Sequence, residues 1–105
     1  VCGALHRVDW RAVGLAGFGR EGGYARRQLA TMRKIYAQQG WRRIPALDRL
    51  ADWLEANLDV PEGTCLVHGD YRIGNCLLAP DAPRIAAVLD WELSTLGNPA
   101  ADAVY

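Results

Sequence analysis

The sequence predicts an α+β fold, because helical and strand-like patterns occupy different parts of the 105-residue chain. Apolar residues recur at helical spacing between positions 24 and 58, and short apolar runs separated by turn residues follow between 65 and 89. The chain begins at Val1 without a methionine and stops at Tyr105, shortly after a helix-start signal. We therefore expect residues 1–105 to form part of one domain rather than several domains.

The first 23 residues predict a helix end followed by a loop. In the helical part, we expect His6 to be a partly buried structural histidine rather than a ligand. Positions 17–22 satisfy the pattern G-x-G-x-x-G. A dinucleotide-binding loop of this kind needs a preceding strand and an acidic residue about 20 positions further on. Neither is present, and Trp41-Arg42-Arg43 stands where the acid should be, so we interpret positions 14–23 as a loop between helices.

Two helices are predicted next. In Tyr24 to Gln39, the residues Ala25, Leu29, Met32 and Tyr36 form one apolar stripe, and Gly40 provides a stop. The second helix opens at Pro45 and is bounded by Pro61, with leucines at 47, 50, 54 and 58. Trp41 and Trp53 are expected to be core or surface aromatics, because no basic groove accompanies them as in a nucleic-acid platform.

A strand and a β-hairpin are predicted in the last third. Cys65-Leu66-Val67 is a short apolar strand, and the runs 76–79 and 85–89 flank the turn-forming residues 80–84. If Ala79 faces Ala86, Asn75 lies opposite Asp90. Directly opposed residues in an antiparallel pair have Cβ atoms about 5 Å apart. The hairpin would then bring an amide oxygen and a carboxylate together beside Asp70. Asn98-Pro99 predicts the start of a final helix.

Composition excludes several classes of function. The chain carries 12 basic and 12 acidic residues, so charge gives no argument for nucleic acid or an anionic membrane as partner. No apolar run approaches the ~20 residues of a membrane span, and no signal peptide is visible. Three widely spaced cysteines form neither a disulfide framework nor paired zinc ligands. We expect core thiols in a reducing compartment and a cytoplasmic location.

The motif His68-Gly69-Asp70-x-x-x-x-Asn75, followed by a hairpin and Asp90-Trp91-Glu92, resembles the catalytic core of the aminoglycoside phosphotransferase and choline kinase family. The longer string from Asp90 to Pro99 is most similar to one branch, the phosphotransferase domains found beside or fused to acyl-CoA dehydrogenases. This resemblance implies the protein-kinase-like fold. It places residues 1–105 in the central part of the large, C-terminal lobe.

The resemblance also implies roles for individual residues. Asp70 would orient, or accept the proton of, an attacking substrate hydroxyl. Asn75 and Asp90 would hold Mg²⁺ against the nucleotide phosphates, because Mg²⁺ prefers oxygen ligands. His68 is expected to fix the catalytic loop more than to act as an acid or base. Arg72 would either touch the transferred phosphate or pair with a carboxylate.

Two more positions resemble family positions. Asp102 matches one that hydrogen-bonds the catalytic-loop backbone. Asn98 stands where many relatives carry Asp, and the two residue types cap a helix almost equally well.

The implied activity is ATP-dependent phosphorylation of a small-molecule hydroxyl, with a hydroxyacyl compound or its CoA thioester as acceptor and an acyl-CoA dehydrogenase domain as expected associate. An aminoglycoside- or choline-type kinase is the alternative acceptor class. A third alternative is a truncated remnant that no longer catalyses. It arises because no segment resembles the small lobe, and the only lysine, Lys34, lies within a predicted helix.

Overall fold

The computed structural model describes residues 1–40, 42–59, 61 and 63–104. The chain divides into two compact units, one built from residues 1–22 and 63–105 and the other from residues 23–62. The first unit carries the predicted site, and the second carries the two long helices. Trp41 lies outside the described residues.

The first unit begins with helix α1 (Cys2–Leu5) and the loop that follows it. Its strands are β1 (Cys65–Val67), β2 (Cys76–Leu78), β3 (Ile85–Val88) and β4 (Thr95–Gly97), and helix α4 (Ala100–Ala103) follows them. The described residues form two antiparallel two-stranded sheets, β1 with β4 and β2 with β3. The mixture of helices and short strands confirms the predicted α+β class.

Strand β4 completes the core of this unit, although no strand is predicted there from the sequence. Its Leu96 pairs with Leu66 of β1 and is fully buried. Leu66, Leu96 and Trp10 form the buried cluster, against which Leu5 and Leu15 pack. Burial of such side chains stabilises a fold by about 1.5–3 kcal/mol each. The β1–β4 pair therefore supports the loop that begins at His68.

The glycine-rich segment is a loop, as predicted, and one of its glycines contacts β4. A Cβ atom at Gly19 would lie 2.6 Å from Thr95 Oγ1 and 2.8 Å from the Leu96 amide nitrogen. At this position glycine permits close packing of the loop on the sheet. At the end of the loop, the Gly22 amide donates a hydrogen bond to Thr64 Oγ1 over 3.3 Å.

The hairpin register differs from the prediction by one residue, and the expectation that Asn75 lies opposite Asp90 is wrong. The turn is tighter than predicted, because the Ala79 amide donates to the Arg84 carbonyl over 2.9 Å and Leu78 faces Ile85. A bulge between Leu77 and Leu78 then restores one of the two displaced residues, so that Cys76 faces Val88. Such a bulge inserts one extra residue into one strand. Instead of Asp90, Leu89 is bonded to Asn75, its amide donating to the Asn75 carbonyl over 2.8 Å. Asp90 follows one residue later with a left-handed backbone (φ 66°).

The second unit contains α2 (Tyr24–Gln38) and α3 (Pro45–Asn57). Pro45 opens α3 as predicted, and α2 ends one residue before the predicted boundary. Arg33 joins the helices through Asp52, 2.8 Å away, and Glu55, 3.1 Å away. Three residues of the predicted apolar stripe are half-buried, but Met32 is 57% exposed. Trp53 is 61% exposed.

No helix within the described ranges has both the length and the apolar character of a membrane span.

Candidate functional site

The loop between β1 and β2 is held at its base by Asp102 of α4. One carboxylate oxygen, Oδ2, accepts the His68 amide over 2.9 Å, and Oδ1 accepts the Gly69 amide over 2.8 Å. Asp102 is only 4% exposed, so these bonds form away from water. Hydrogen bonds to an ionised acceptor are about twice as strong as neutral ones. The structure thus confirms that Asp102 bonds the backbone of the predicted catalytic loop.

Gly69 allows the chain to turn at this point. Its φ of +86° lies in the left-handed region, which favours glycine. A Cβ atom there would also lie 2.5 Å from the Leu93 carbonyl oxygen. Any side chain would therefore both strain the backbone and push the 91–93 turn away. The glycine of the His-Gly-Asp motif is required by the geometry of the loop.

The His68 ring lies inside the protein and links three segments. His68 is 0% exposed. Its Nδ1 accepts the Asp70 amide over 3.2 Å, and its Nε2 lies 2.9 Å from the Leu89 carbonyl oxygen. With Nδ1 as acceptor, the network assigns the proton to Nε2, which then donates to Leu89. The Trp91 ring packs against the imidazole edge at 4.7 Å between centroids. His68 ties the Asp70 loop to the segment that ends in Asp90.

Asp70 is brought together with Asn75 and Arg72, as the motif spacing requires. Asp70 Oδ2 accepts Asn75 Nδ2 over 2.8 Å and Arg72 Nε over 3.1 Å. Asn75 Nδ2 also donates to the Asp70 carbonyl over 2.8 Å. The Asp70 side chain is 16% exposed, so its carboxylate is oriented by neighbours and still reaches solvent. Of the two roles predicted for Arg72, pairing with a carboxylate is the contact observed here.

Asn75 and Asp90 sit on adjoining segments but differ in exposure. Asn75 is 5% exposed at the end of a 3₁₀ turn, Ile73–Asn75, whereas Asp90 is exposed. Within the described part of the chain, neither Asn75 Oδ1 nor the Asp90 carboxylate accepts a hydrogen bond. Both groups are hard oxygen donors, the chemistry that Mg²⁺ takes from proteins. The Leu89 amide bonds the Asn75 carbonyl, so the residue before Asp90 lies beside Asn75. That the two side chains converge on one cation stays a prediction.

The pKa of Asp102 is lowered although the carboxyl is buried. Burial alone would raise this pKa, but the hydrogen bond from His6 and those from the His68 and Gly69 amides outweigh it. His6 Nε2 lies 2.9 Å from Asp102 Oδ2, and the His6 ring is partly buried, as expected. The buried carboxylate thus stays ionised and keeps the loop amides bonded.

The neighbouring thiols are not activated. All three cysteines are free. Burial raises the pKa of the Cys65 thiol, and burial together with the Asp102 charge raises that of Cys2. A raised pKa keeps the thiol protonated and unreactive.

Two supporting contacts are not foreseen in the sequence. The Leu89 carbonyl accepts from His68, and Ser94 Oγ donates to the Val67 carbonyl over 3.0 Å. No side-chain signal marks a backbone carbonyl, so the first could not be read from the residue types. The second contact depends on the pairing of β1 with β4, and no strand was predicted after Ser94.

Known proteins share this sequence and this arrangement. The chain matches the phosphotransferase enzyme family over residues 1–105. It is 47% identical over 102 residues to the Acyl-CoA dehydrogenase family member 11 of Gallus gallus, covering 96% of this chain and 13% of that protein. The chain therefore spans only a small part of its curated relatives.

Solved structures share the fold. One, from Ralstonia eutropha and classed with the aminoglycoside phosphotransferases, superposes with a TM-score of 0.87 at 45% identity, covering 98% of this chain and 32% of that one. A macrolide 2'-phosphotransferase of type I superposes with a TM-score of 0.75 at 27% identity, covering 96% of this chain and 34% of that one. These matches confirm the kinase-like fold predicted from the His-Gly-Asp motif. The chain belongs to the phosphotransferase enzyme family.

Proposed function

We propose that this chain carries the catalytic loop and the magnesium ligands of an ATP-dependent phosphotransferase that acts on a small-molecule hydroxyl. The observation that carries the proposal is the Asp70 carboxylate, which is oriented by Asn75 and Arg72 on a loop fixed by Asp102. Phosphoryl transfer requires positioning and charge stabilisation more than covalent chemistry. A preorganised carboxylate at the end of a rigid loop supplies that positioning.

Asp70 orients the acceptor hydroxyl and takes its proton as the oxygen forms a bond to the γ-phosphorus and ADP leaves. Its acceptance of two hydrogen bonds at Oδ2 fits an ionised carboxylate, which is acceptor-only. Arg72 supplies a cation next to this carboxylate and, in our proposal, toward the transferred phosphate. His68 is a positioning residue, because its ring is fully buried and bonds the Asp70 amide and the Leu89 carbonyl.

Asn75 Oδ1 and the Asp90 carboxylate are the proposed ligands of Mg²⁺. Both are oxygen donors that accept no hydrogen bond among the residues described, which fits the donor set of this ion. The left-handed backbone at Asp90 supports a functional role, because such conformations in residues other than glycine concentrate at active sites. When bound, Mg²⁺ neutralises charge on the nucleotide phosphates.

For the acceptor we propose a hydroxyacyl compound or its CoA thioester. This rests on the relatives named as acyl-CoA dehydrogenase family members, which also support association with an acyl-CoA dehydrogenase domain. The alternative is an antibiotic- or choline-type acceptor, which the aminoglycoside and macrolide phosphotransferase structures favour. The free thiols support a reducing, cytoplasmic environment.

The test is a chimera in which residues 1–104 replace the matching segment of the Gallus gallus relative. Transfer of labelled γ-phosphate would be measured with hydroxyacyl-CoA, aminoglycoside, macrolide and choline acceptors. We expect Asp70→Asn to lower kcat by about 10²–10⁴-fold, the usual effect of losing a general base, with nucleotide binding nearly intact. Asp90→Asn should raise the Mg²⁺ concentration needed for half-maximal rate, because it removes a charge from the ion's ligands.

Near-wild-type turnover of Asp70→Asn would contradict the role of Asp70. An unchanged magnesium dependence of Asp90→Asn would contradict the ligand assignment. A chimera that binds nucleotide but phosphorylates none of these acceptors would favour the non-catalytic remnant. An exposed carboxylate in the hairpin turn, changed as Asp81→Asn, is the matched control and should leave both quantities unaltered.

A further inference from the structure

Three metal-ligating side chains meet in the first unit, away from the Asn75 and Asp90 ligands. Cys2 and His6 lie one helical turn apart at the two ends of α1, and Asp102 comes from α4. His6 Nε2 lies 3.4 Å from Cys2 Sγ and 2.9 Å from Asp102 Oδ2. The three candidate ligand atoms lie within 4.8 Å of one another.

We propose that Cys2, His6 and Asp102 bind a zinc ion. Tetrahedral zinc with bonds of about 2.0–2.3 Å places its ligand atoms roughly 3.3–3.6 Å apart. The distance of 3.4 Å from sulfur to nitrogen falls in that range, and the distance of 2.9 Å from nitrogen to oxygen is a few tenths of an ångström short of it. Sulfur and oxygen lie no more than 4.8 Å apart. Cys2 Sγ lies 3.9 Å from His6 Nδ1 as well as 3.4 Å from Nε2, so the thiol packs against the face of the ring. Rotation of the Cys2 side chain brings the sulfur toward the Nε2 lone pair, where the ion replaces the proton directed at Asp102.

The charges of this cluster suit a divalent ion. A thiolate, a neutral imidazole and a carboxylate carry two negative charges together, so zinc makes the partly buried site neutral. Burial of an uncompensated charge would be unfavourable. Sulfur and imidazole ligands select zinc over the hard ion Mg²⁺. Binding releases one proton, from the Cys2 thiol, while His6 moves its proton from Nε2 to Nδ1.

A nucleophilic triad fits the same residues less well. In such a triad the carboxylate orients one imidazole nitrogen while the other faces the nucleophile. Here Asp102 and Cys2 both approach Nε2 most closely. Nδ1 is thus not directed at the thiol while Nε2 is directed at the carboxylate, so His6 does not relay a proton between them.

Zinc at this position would act on the catalytic loop through Asp102. Its Oδ2 has a second lone pair for the His68 amide, and its Oδ1 bonds the Gly69 amide. These amides would orient the ligating carboxylate as the outer partners of a metal site do. Metal binding would thus rigidify the base of the loop without contact with the phosphotransferase residues.

The test uses the full 105-residue chain, zinc, and cobalt as the spectroscopic probe, in excess Mg²⁺ to fill hard oxygen sites. We expect one equivalent of Co²⁺ to give a near-ultraviolet thiolate band, and Zn²⁺ to displace it. Calorimetry in buffers of different ionisation enthalpy should show one proton released per ion. Cys2→Ser should abolish the band and weaken Zn²⁺ binding at least about tenfold, the smallest loss expected when a metal site is disturbed. Cys76→Ser is the matched control, because this thiol is partly exposed and outside the cluster.

Thermal unfolding supplies an independent readout. A ligand that binds only the folded state raises the melting temperature, whereas zinc bound to unfolded cysteines lowers or reverses the effect. Zinc should therefore stabilise the wild type and Cys76→Ser but not Cys2→Ser. Absence of a thiolate band, a band that survives Cys2→Ser, or equal stabilisation of Cys2→Ser would each overturn the proposal.

Discussion

Replacing Asp102 with Asn should destabilise the first unit strongly although the side chain keeps its shape. The carboxylate accepts three hydrogen bonds from His6, His68 and Gly69 in a side chain that is 0% exposed. An amide retains one acceptor oxygen, which can satisfy the two donors at Oδ2. Its NH₂ group then faces the Gly69 amide, a donor against a donor. One charge-assisted bond is lost, at about 1.5–3 kcal/mol, and the other two weaken. We expect a total loss of about 3–5 kcal/mol, the range typical of removing one partner from a buried, charge-assisted hydrogen-bond network.

Urea unfolding followed by tryptophan fluorescence measures this loss. With a slope of about 1–3 kcal/mol per molar urea, the midpoint should fall by roughly 1–5 M. Exchange of the Gly69 amide hydrogen should accelerate in parallel, since its acceptor is gone. Asp81→Asn is the control, with a carboxylate that is 76% exposed and 3.8 Å from Arg84, and should change stability by less than about 0.5 kcal/mol. A loss below about 1 kcal/mol for Asp102→Asn, or unaltered protection of the Gly69 amide, would refute the reasoning.

Three further predictions concern pH, glycine and nucleotide. Because the pKa of folded Asp102 lies below the ordinary 3.8, its contribution to stability is complete above that value and is lost as the pH falls through the folded pKa. Acid unfolding of Asp102→Asn should lack this component. In urea unfolding, Gly69→Ala should lower the free energy of unfolding clearly more than Gly14→Ala. Both glycines have a positive φ, which costs alanine about 1–2 kcal/mol, but only at Gly69 would the added Cβ meet a carbonyl oxygen. Equal losses would contradict the packing argument. Calorimetry of the isolated chain should show ATP–Mg²⁺ binding of about 1 mM or weaker, because no segment resembles the small lobe; low-micromolar affinity would instead implicate residues 17–22.

The helices were predictable because their signals are local. Apolar spacing and the prolines at 45 and 61 bound α3, and Gly40 follows the end of α2. The same locality made it predictable that Asn75 lies beside the loop of Asp70, although not that the two side chains are bonded. The apolar stripe on α2 does not predict how deeply its side chains are buried, because burial depends on the segments that pack against the helix rather than on its periodicity.

The strand pairings were harder to predict for physical reasons. Strand β4 has three residues, too few for an alternating pattern, and forms because Leu96 is buried against β1. The hairpin register depended on the tight turn that bonds Ala79 to Arg84 and on the bulge between Leu77 and Leu78. A one-residue shift exchanges the faces of every side chain. The place of Asp102 followed only from resemblance, because nothing in its local sequence indicates a partner 34 positions away.

The distance along the chain between Asp102 and the loop that it holds has a consequence for the order of synthesis. The Asp102 contact with the His68 amide spans 34 positions, and that with His6 spans 96. At about 5–20 residues per second, the ribosome takes roughly 2–7 s to reach Asp102 after His68 has been added. During that interval the loop amides have no carboxylate to bond. The catalytic loop of the nascent chain should therefore adopt its final conformation only after Asp102 has been made.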